Sequence, residues 1–81
     1  MIYVDTIGHM ITDGILDELH IFAKEIGLKR EWFQDKGWYS HYDLTTKNKI
    51  NQAVKNGAQL INPKQIIKIL KEAEFNQDNI K

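Results

Sequence analysis

The chain carries at residues 13–27 the stretch DGILDELHIFAKEIG, and this stretch predicts the best-defined helix of the fold. Asp13 is a residue type that caps helix N-termini, and Gly27 is the type that ends helices. Apolar side chains recur between them at helical spacing and form one stripe, made of Ile15, Leu19, Phe22 and Ile26. We therefore expect a helix from Asp13 to Ile26 with this stripe facing a core.

Two short strands are expected, one near each end of the chain. Residues 2–5 (IYVD) are β-branched or aromatic and end at an acidic residue, and residues 58–61 (AQLI) form a second short run. Ahead of the second strand, Thr45 or Thr46 can cap a second helix that reaches Asn56. The chain therefore alternates between strands and helices.

A third helix is expected from Asn62 onward. Asn62 is a suitable cap, Pro63 suits the first helical position, and Gln65 lies where a capping box places its second member. Residues 28–42 are instead rich in aromatic residues and interrupted by a glycine. We interpret this segment as an ordered loop.

These elements predict an α/β fold with the order β-α-α-β-α. The two strands are expected to pair in parallel through the long crossover and to form a two-stranded sheet covered by helices. Such a sheet is marginal alone, so a second copy of the chain is expected to complete it in a homo-oligomer. We expect a single domain over residues 1–75 and a frayed tail over residues 76–81.

Composition and charge exclude several classes of function. The 81 residues include 11 Lys+Arg against 11 Asp+Glu, a balance that argues against a protein devoted to the phosphates of long nucleic acids. The chain has no cysteine, which excludes disulfides, thiolate metal sites and a cysteine nucleophile. No apolar run approaches the roughly 20 residues of a membrane span, and no signal-peptide pattern opens the chain. A cytoplasmic protein without a membrane partner is therefore expected.

His9, His41 and Asp43 are the strongest polar candidates for a site. His9 precedes the first predicted helix, and His41 and Asp43 precede the second, so the two groups can converge where helix N-termini favour an anion. These side chains are all of metal-ligand type, but their spacing matches no zinc signature, so no metal site is predicted. Glu18 and His20 point about 200° apart on a helix and cannot serve one ion.

Aromatic residues are concentrated in the predicted loop. We expect Phe33 and one of the two tryptophans to lie in the core, because large aromatic side chains supply much of the apolar area of a small domain. Trp38, Tyr39 and Tyr42 are better placed to stack on a nucleobase, and Arg30 is suited to contact a phosphate.

Three blocks of the sequence carry a family resemblance: ELHIFA at residues 18–23, IGLKREWFQ at residues 26–34 and HYDLT at residues 41–45. They resemble DUF4031, a domain-of-unknown-function family of small bacterial and phage proteins, over residues 1–61. The family carries no activity to transfer. The resemblance implies a polar pocket formed by Asp5, His9, Asp13, Glu18, His20, Trp32, Gln34, His41, Tyr42 and Asp43. This chain departs from the family in a shortened segment over residues 6–8 and in Thr46, where relatives tend to have proline.

Together these patterns predict a small-ligand binding protein for a nucleotide or a nucleotide-derived signal. The expected ligand-binding residues are His9, Arg30, Trp32, Trp38, Tyr39, His41, Tyr42 and Asp43. Small size and a composition rich in Lys, Asn and Ile fit a phage origin, and such a protein would sequester a host immune signal.

Two alternatives stay open. One is a compact hydrolase, with or without a metal, that cleaves a phosphate or glycosidic bond of a nucleotide; His41 would be the general acid and Asp43 or Glu18 the general base. The other is an accessory module that binds a protein or DNA through a lysine face made of Lys64, Lys68 and Lys71. No particular cofactor is implied by the sequence.

Overall fold

A five-stranded mixed sheet forms the centre of the protein and carries helices on both faces. The computed structural model describes the backbone of residues 1–80 and the side chains of residues 1–73. The elements, in chain order, are β1 (Ile2–Asp5), β2 (His9–Thr12), α1 (Leu16–Glu25), β3 (Phe33–Gln34), β4 (His41–Asp43), α2 (Lys47–Lys55), β5 (Gln59–Ile61) and α3 (Pro63–Ile80). Short 3-10 turns at Arg30–Trp32 and Gly37–Tyr39 precede β3 and β4.

The strand order across the sheet is β3-β4-β2-β1-β5. β1 and β5 pair in parallel, as the sequence predicts, and the other three pairings are antiparallel. The prediction of a two-stranded sheet is wrong, because the sheet also contains β2, β3 and β4. We had interpreted the residues of β2 as a connection to the first helix and those of β3 and β4 as part of a loop. These strands are two to four residues long and carry polar side chains on one face, so they lack the continuous apolar run by which β1 and β5 are recognised.

The first helix begins later than its sequence predicts. α1 starts at Leu16 instead of Asp13, because the chain up to Thr12 is paired with β1 as part of the sheet. Asp13 does not cap the helix; its carboxylate accepts a hydrogen bond from the Tyr3 hydroxyl at 3.2 Å. Ile15 occupies the N-cap position without a side-chain hydrogen bond and is 70% exposed, so its expected place in the core-facing stripe is wrong.

The caps predicted for the second and third helices are confirmed. The Thr46 hydroxyl accepts from the amide of Lys49 at 3.1 Å at the start of α2. At the start of α3, the amide of Gln65 donates to the Asn62 side chain and the amide of Asn62 donates to the Gln65 side chain, both at 3.0 Å. This reciprocal pair is the capping box that the sequence indicates.

Two apolar clusters lie on opposite faces of the sheet. Side chains of β1, β2 and β4 pack with α1 and α2 on one face, and the buried members there include Val4, Met10, Leu19, Ala53 and Tyr42. On the other face, Ile11 and Ile61 pack against α3 through Ile66 and Leu70. Neighbouring residues of a strand point to opposite faces, so the polar residues that alternate with the first cluster must lie on the α3 side of the sheet.

The remaining sequence expectations concern the extent of the domain and its assembly. A five-stranded sheet removes the reason for expecting a second copy to complete it, and the oligomeric state stays a prediction. The helix α3 extends to Ile80 and so runs through most of the segment expected as a frayed tail, residues 76–81; that expectation and the domain boundary at residue 75 stay predictions. Within the described chain, no helix combines the length and the apolar character needed to cross a membrane.

Candidate functional site

Three polar side chains meet on the α3 face of the sheet, at the end that α3 leaves uncovered. His9 on β2 lies directly opposite Asp43 on β4, and His41 lies two residues before Asp43 on the same strand. Because strand side chains alternate with a period of two, all three project from the same face. The sequence analysis placed His9 before a helix and His41 in a loop; pairing of β2 with β4 is what brings them together.

A tight turn between β1 and β2 holds His9 in place. The Asp5 side chain is fully buried, and its Oδ1 atom accepts hydrogen bonds from the amides of Ile7, Gly8 and His9 at 3.0, 2.7 and 2.9 Å. Its Oδ2 atom lies 2.8 Å from Nδ1 of the His9 ring. One carboxylate therefore fixes both the backbone of the turn and the orientation of the imidazole.

The charge state of Asp5 follows from these contacts. Burial on its own raises the pKa of the carboxyl group. The hydrogen bonds from the His9 ring and from the amides of His9 and Gly8 outweigh that effect and hold the pKa below its ordinary value. Asp5 is thus an ionised, hydrogen-bond-accepting group at neutral pH.

Both imidazoles are held in the same tautomer. An ionised carboxylate and a backbone carbonyl can only accept, so Nδ1 of His9 donates to Asp5 and Nδ1 of His41 donates to the carbonyl of Tyr39 at 2.7 Å. In the neutral rings, each Nε2 atom therefore keeps its lone pair. This arrangement, in which the second ring nitrogen is bound to a carboxylate or carbonyl, is typical of histidines that ligate metals.

The free ends of these three side chains converge on one point. Nε2 of His41 lies 3.3 Å from Oδ1 of Asp43, and Nε2 of His9 lies 3.9 Å from the same oxygen. The three candidate ligand atoms all lie within 4.8 Å of one another. Ligands bound tetrahedrally at about 2.1 Å lie about 3.4 Å apart, so the observed spacing is close to that of a coordination sphere. Two imidazole lone pairs that face a carboxylate oxygen can be satisfied by a proton, a water molecule or a metal cation between them.

The aromatic ring of Tyr39 separates this cluster from the apolar core under α3. Its ring centroid lies 4.8 Å from that of His41 and 6.3 Å from that of His9, and its other side packs against the cluster that contains Ile11. His41 is buried, whereas Asp43 is half exposed. The site is therefore closed toward the core and open toward solvent at Asp43.

A cavity of about 480 Å³ opens beside Asp43. Its polar and aromatic lining includes Glu31, Trp32, Gln34, Asp43, Thr46 and Lys49. Trp32 is 45% exposed and Trp38 is 43% exposed, so the expectation that one of the two tryptophans lies in the core is wrong, whereas Phe33 does pack against the core. A ligand bound in this cavity would reach both the carboxylate of Asp43 and the indole of Trp32.

Other residues expected at the site lie elsewhere. Trp38 lines a separate cavity between α1 and α3, and the ammonium of Lys71 lies 5.9 Å from its ring centroid. Glu18 lies at the far end of the β1–β2 hairpin, where it accepts from the Thr12 hydroxyl at 2.9 Å and from the N-terminal ammonium at 2.6 Å. The structure thus does not bring Trp38 or Glu18 together with His41 and Asp43.

Tyr42 and Arg30 belong to the opposite face of the sheet. Tyr42 is 1% exposed in the core, and its hydroxyl lies 2.8 Å from Nδ1 of His20. Burial lowers the pKa of His20, and the nearby Arg30 charge lowers it further. The Arg30 guanidinium lies over the Phe33 ring at 5.0 Å. This group forms a packing and hydrogen-bonding unit that points away from the metal-ligand cluster.

Several residues at the site were not predicted from the sequence. Asp5 was expected in a polar pocket only through the family resemblance, and Glu31, Thr46 and Lys49 were not assigned to a pocket. A signal for Asp5 was present, because an aspartate followed three residues later by a glycine is typical of a turn in which the side chain binds backbone amides. The cavity residues share no local pattern that would have identified them.

The fold and the cluster define a small mixed α/β protein with a candidate metal centre of two histidines and one aspartate. The chain belongs to the family described as "Protein of unknown function (DUF4031)", whose model matches residues 2–73. The family assignment expected from the sequence motifs is thereby confirmed. No curated protein and no solved structure matches the chain.

Proposed function

We propose that His9, His41 and Asp43 bind one divalent transition-metal ion and that the protein is a metal-dependent hydrolase of a small substrate. The observation that carries the proposal is the convergence of two Nε2 lone pairs and one carboxylate oxygen, with both rings fixed through Nδ1. Imidazole nitrogens favour ions such as Zn²⁺ or Fe²⁺ over Mg²⁺ or Ca²⁺, which prefer all-oxygen ligands.

The number of ligands favours a catalytic site over a structural one. Structural zinc sites use four protein ligands, whereas catalytic sites use three and leave a position for water or substrate. An ion held in this way supplies a polarised water and a positive charge for an oxygen of the substrate. Asp43 belongs to the cluster and also lines the cavity, so a substrate in the cavity would approach a bound ion from the side of Asp43.

The proton released during hydrolysis needs an acceptor. Asp5 is fully engaged by four hydrogen bonds, and Glu18 lies at the other end of the hairpin. Glu31 lines the same cavity as Asp43 and is exposed, so it is the carboxylate best placed for this role. Asp43 therefore serves as a ligand in this scheme instead of the general base considered from the sequence.

A second candidate is capture of a nucleotide or nucleotide-derived signal without turnover. The observation that favours it is the exposed Trp32 in the cavity beside Asp43, which supplies a stacking surface but no reactive group. In that case the ion would bind the phosphate of the ligand and the protein would sequester it.

Metal removal and replacement test the proposal. Protein treated with a chelator and then titrated with Zn²⁺ is expected to take up one ion per chain, and Mg²⁺ is expected to bind far more weakly. The loaded protein should then hydrolyse some member of a panel of phosphomonoesters, phosphodiesters and N-glycosides, and the chelator should stop the reaction. Uptake of the ion without turnover would leave ligand capture as the function, and a lack of uptake would refute the metal centre.

Replacement of Asp5 by asparagine is expected to weaken Zn²⁺ binding about 10- to 100-fold. The amide oxygen of asparagine can still accept from the three backbone amides of the turn. Its NH₂ group, however, would face Nδ1 of His9, which is also a donor, and the ring would have to place its proton on Nε2. That tautomer has no lone pair to offer the ion.

Asp13→Asn is the matched control, because Asp13 also lies just beyond a strand but contacts Tyr3 and the N-terminal ammonium. Its Zn²⁺ affinity should equal that of the unmodified protein. Thermal unfolding of both variants without metal separates a loss of fold from a loss of affinity. Equal Zn²⁺ affinity in Asp5→Asn and Asp13→Asn would show that Asp5 does not orient a metal ligand.

A further inference from the structure

We infer that the cavity beside Asp43 binds the nucleobase of a mononucleotide, with Trp32 as the stacking surface, while the phosphate of the same ligand reaches the metal ion. The inference rests on the proposed function and deepens it by naming the class of substrate. It also selects Trp32 as the stacking residue, where the sequence favoured Trp38, Tyr39 and Tyr42. Of these three, Tyr42 is buried and Trp38 lines the other cavity.

Trp32 is positioned by local structure and left available for a ligand. Its amide donates to the carbonyl of Lys29 at 3.0 Å in the 3-10 turn that precedes β3, so the backbone at this position is fixed. Its side chain is 45% exposed and lines the cavity, and the ammonium of Lys29 lies over the ring, 5.7 Å from its centroid. An exposed indole next to a positive charge suits a base that carries a phosphate.

The polar lining of the cavity matches the edge of a base. Glu31 and Gln34, which are close to Trp32 in the sequence, also line the cavity. Glutamine and glutamate are side chains that pair with the amino groups of adenine and cytosine, respectively. Lys49 donates to the carbonyl of Ile26 and to the side chain of Gln52, which leaves the third N–H of its ammonium for an anion. The cavity thus offers groups for both ends of a nucleotide.

The size of the cavity selects a small ligand. Sites for small organic molecules typically enclose about 300–1,000 Å³, and about 480 Å³ falls inside that range. Asp43 belongs both to the cluster and to the lining of the cavity, whereas His9 and His41 do not line it. A nucleotide whose base lies on the indole would therefore reach a bound ion past Asp43.

The test compares adenosine 5′-monophosphate with ribose 5-phosphate, which has the phosphate but lacks the base. Binding is measured by calorimetry with and without Zn²⁺ for the unmodified protein, Trp32→Leu and Trp38→Leu. The two tryptophans are 45% and 43% exposed, so Trp38→Leu is a matched control. We expect the unmodified protein and Trp38→Leu to prefer the nucleotide by about tenfold or more, and Trp32→Leu to lose that preference. Zn²⁺ affinity should be the same in all three proteins.

Two results would overturn the inference. One is equal affinity of the unmodified protein for the two phosphates, or no binding of either at millimolar concentration. The other is a preference that disappears in Trp38→Leu and survives in Trp32→Leu. Both leave Zn²⁺ uptake intact and so count against the nucleobase site alone. A failure of Zn²⁺ uptake would instead refute the proposed function, and the base preference would still be measured in the metal-free titration.

Discussion

Replacement of His41 by alanine is expected to weaken Zn²⁺ binding by about 100-fold or more. The estimate follows because loss of a group that only orients a ligand already costs about 10- to 100-fold, and His41 is itself a ligand in the proposed centre. Its Nε2 atom lies 3.3 Å from Oδ1 of Asp43, and its Nδ1 atom is held by the carbonyl of Tyr39. Alanine leaves one imidazole and one carboxylate, which is too few ligands for tight binding.

His20→Ala is the matched control for His41→Ala. His20 contributes to the opposite face of the sheet, where its ring contacts the Tyr42 hydroxyl and the Phe33 ring. Its removal should reduce the free energy of unfolding but leave Zn²⁺ affinity unchanged. Calorimetric titration in the presence of a competing chelator, with circular dichroism to verify folding, separates the two effects. Equal affinity in His41→Ala and the unmodified protein would mean that His41 does not ligate the ion and would refute the proposed centre.

Because His41 is buried, its alanine variant could lose stability as well as affinity. His9→Ala provides the second measurement, since the His9 side chain is 27% exposed and leaves a smaller void. Loss of Zn²⁺ binding in a folded His9→Ala protein would establish the same centre from the other strand. The pair of variants therefore tests the metal site independently of core packing.

The sequence predicted the parts of the fold that have local signals. Helix caps at Thr46 and Asn62 and the apolar spacing of α1 are each properties of a few neighbouring residues, and all three helices were recovered. β2 and β4 have no such signal. β2 (HMIT) places two buried apolar residues between polar ones and β4 (HYD) has one apolar residue between two polar ones, which is too short a pattern for a period to be recognised. What defines them as strands is their pairing, which is a long-range contact.

The same distinction explains the outcome at the candidate site. His9, His41 and Asp43 were selected by residue type, and their proximity depends on the register in which His9 lies opposite Asp43. The tautomers are instead set by local contacts, because His9 binds Asp5 across the β1–β2 turn and His41 binds the carbonyl of Tyr39 two residues earlier in the chain. A sequence without the strand pairing shows the ligand types but not a coordination geometry. This is why the spacing along the chain matched no zinc signature.

Gly8→Ala is expected to destabilise the protein by about 2–6 kcal/mol. Gly8 adopts a φ of +116°, a conformation that costs a residue with a side chain about 1–3 kcal/mol. A Cβ atom at this position would also lie 2.1 Å from the backbone carbonyl oxygen of Leu44, and relieving such overlap costs about 1–3 kcal/mol more. An 81-residue domain has a total stability near the lower end of about 5–15 kcal/mol, so this change removes a large part of it.

The contact between Gly8 and Leu44 also borders the candidate metal site. The amide of Leu44 donates to the carbonyl of Gly8 at 2.7 Å, and Leu44 directly follows Asp43. If the segments around Gly8 and Leu44 move apart, Asp43 shifts relative to His9 and the turn that Asp5 caps opens. Zn²⁺ affinity should fall together with stability, whereas a substitution that acts on stability alone would leave it unchanged in the folded fraction.

Gly57→Ala isolates the steric part of this effect. Gly57 has nearly the same backbone conformation, with a φ of +114°, but no atom lies within 4 Å of the position that a Cβ would occupy. It should therefore lose only the conformational part, about 1–3 kcal/mol, and keep full Zn²⁺ affinity. Urea unfolding of the two variants measures the difference. If Gly8→Ala were no less stable than Gly57→Ala, the close approach of the β1–β2 turn to Leu44 would not constrain the fold. The only reason for a glycine at position 8 would then be its positive φ.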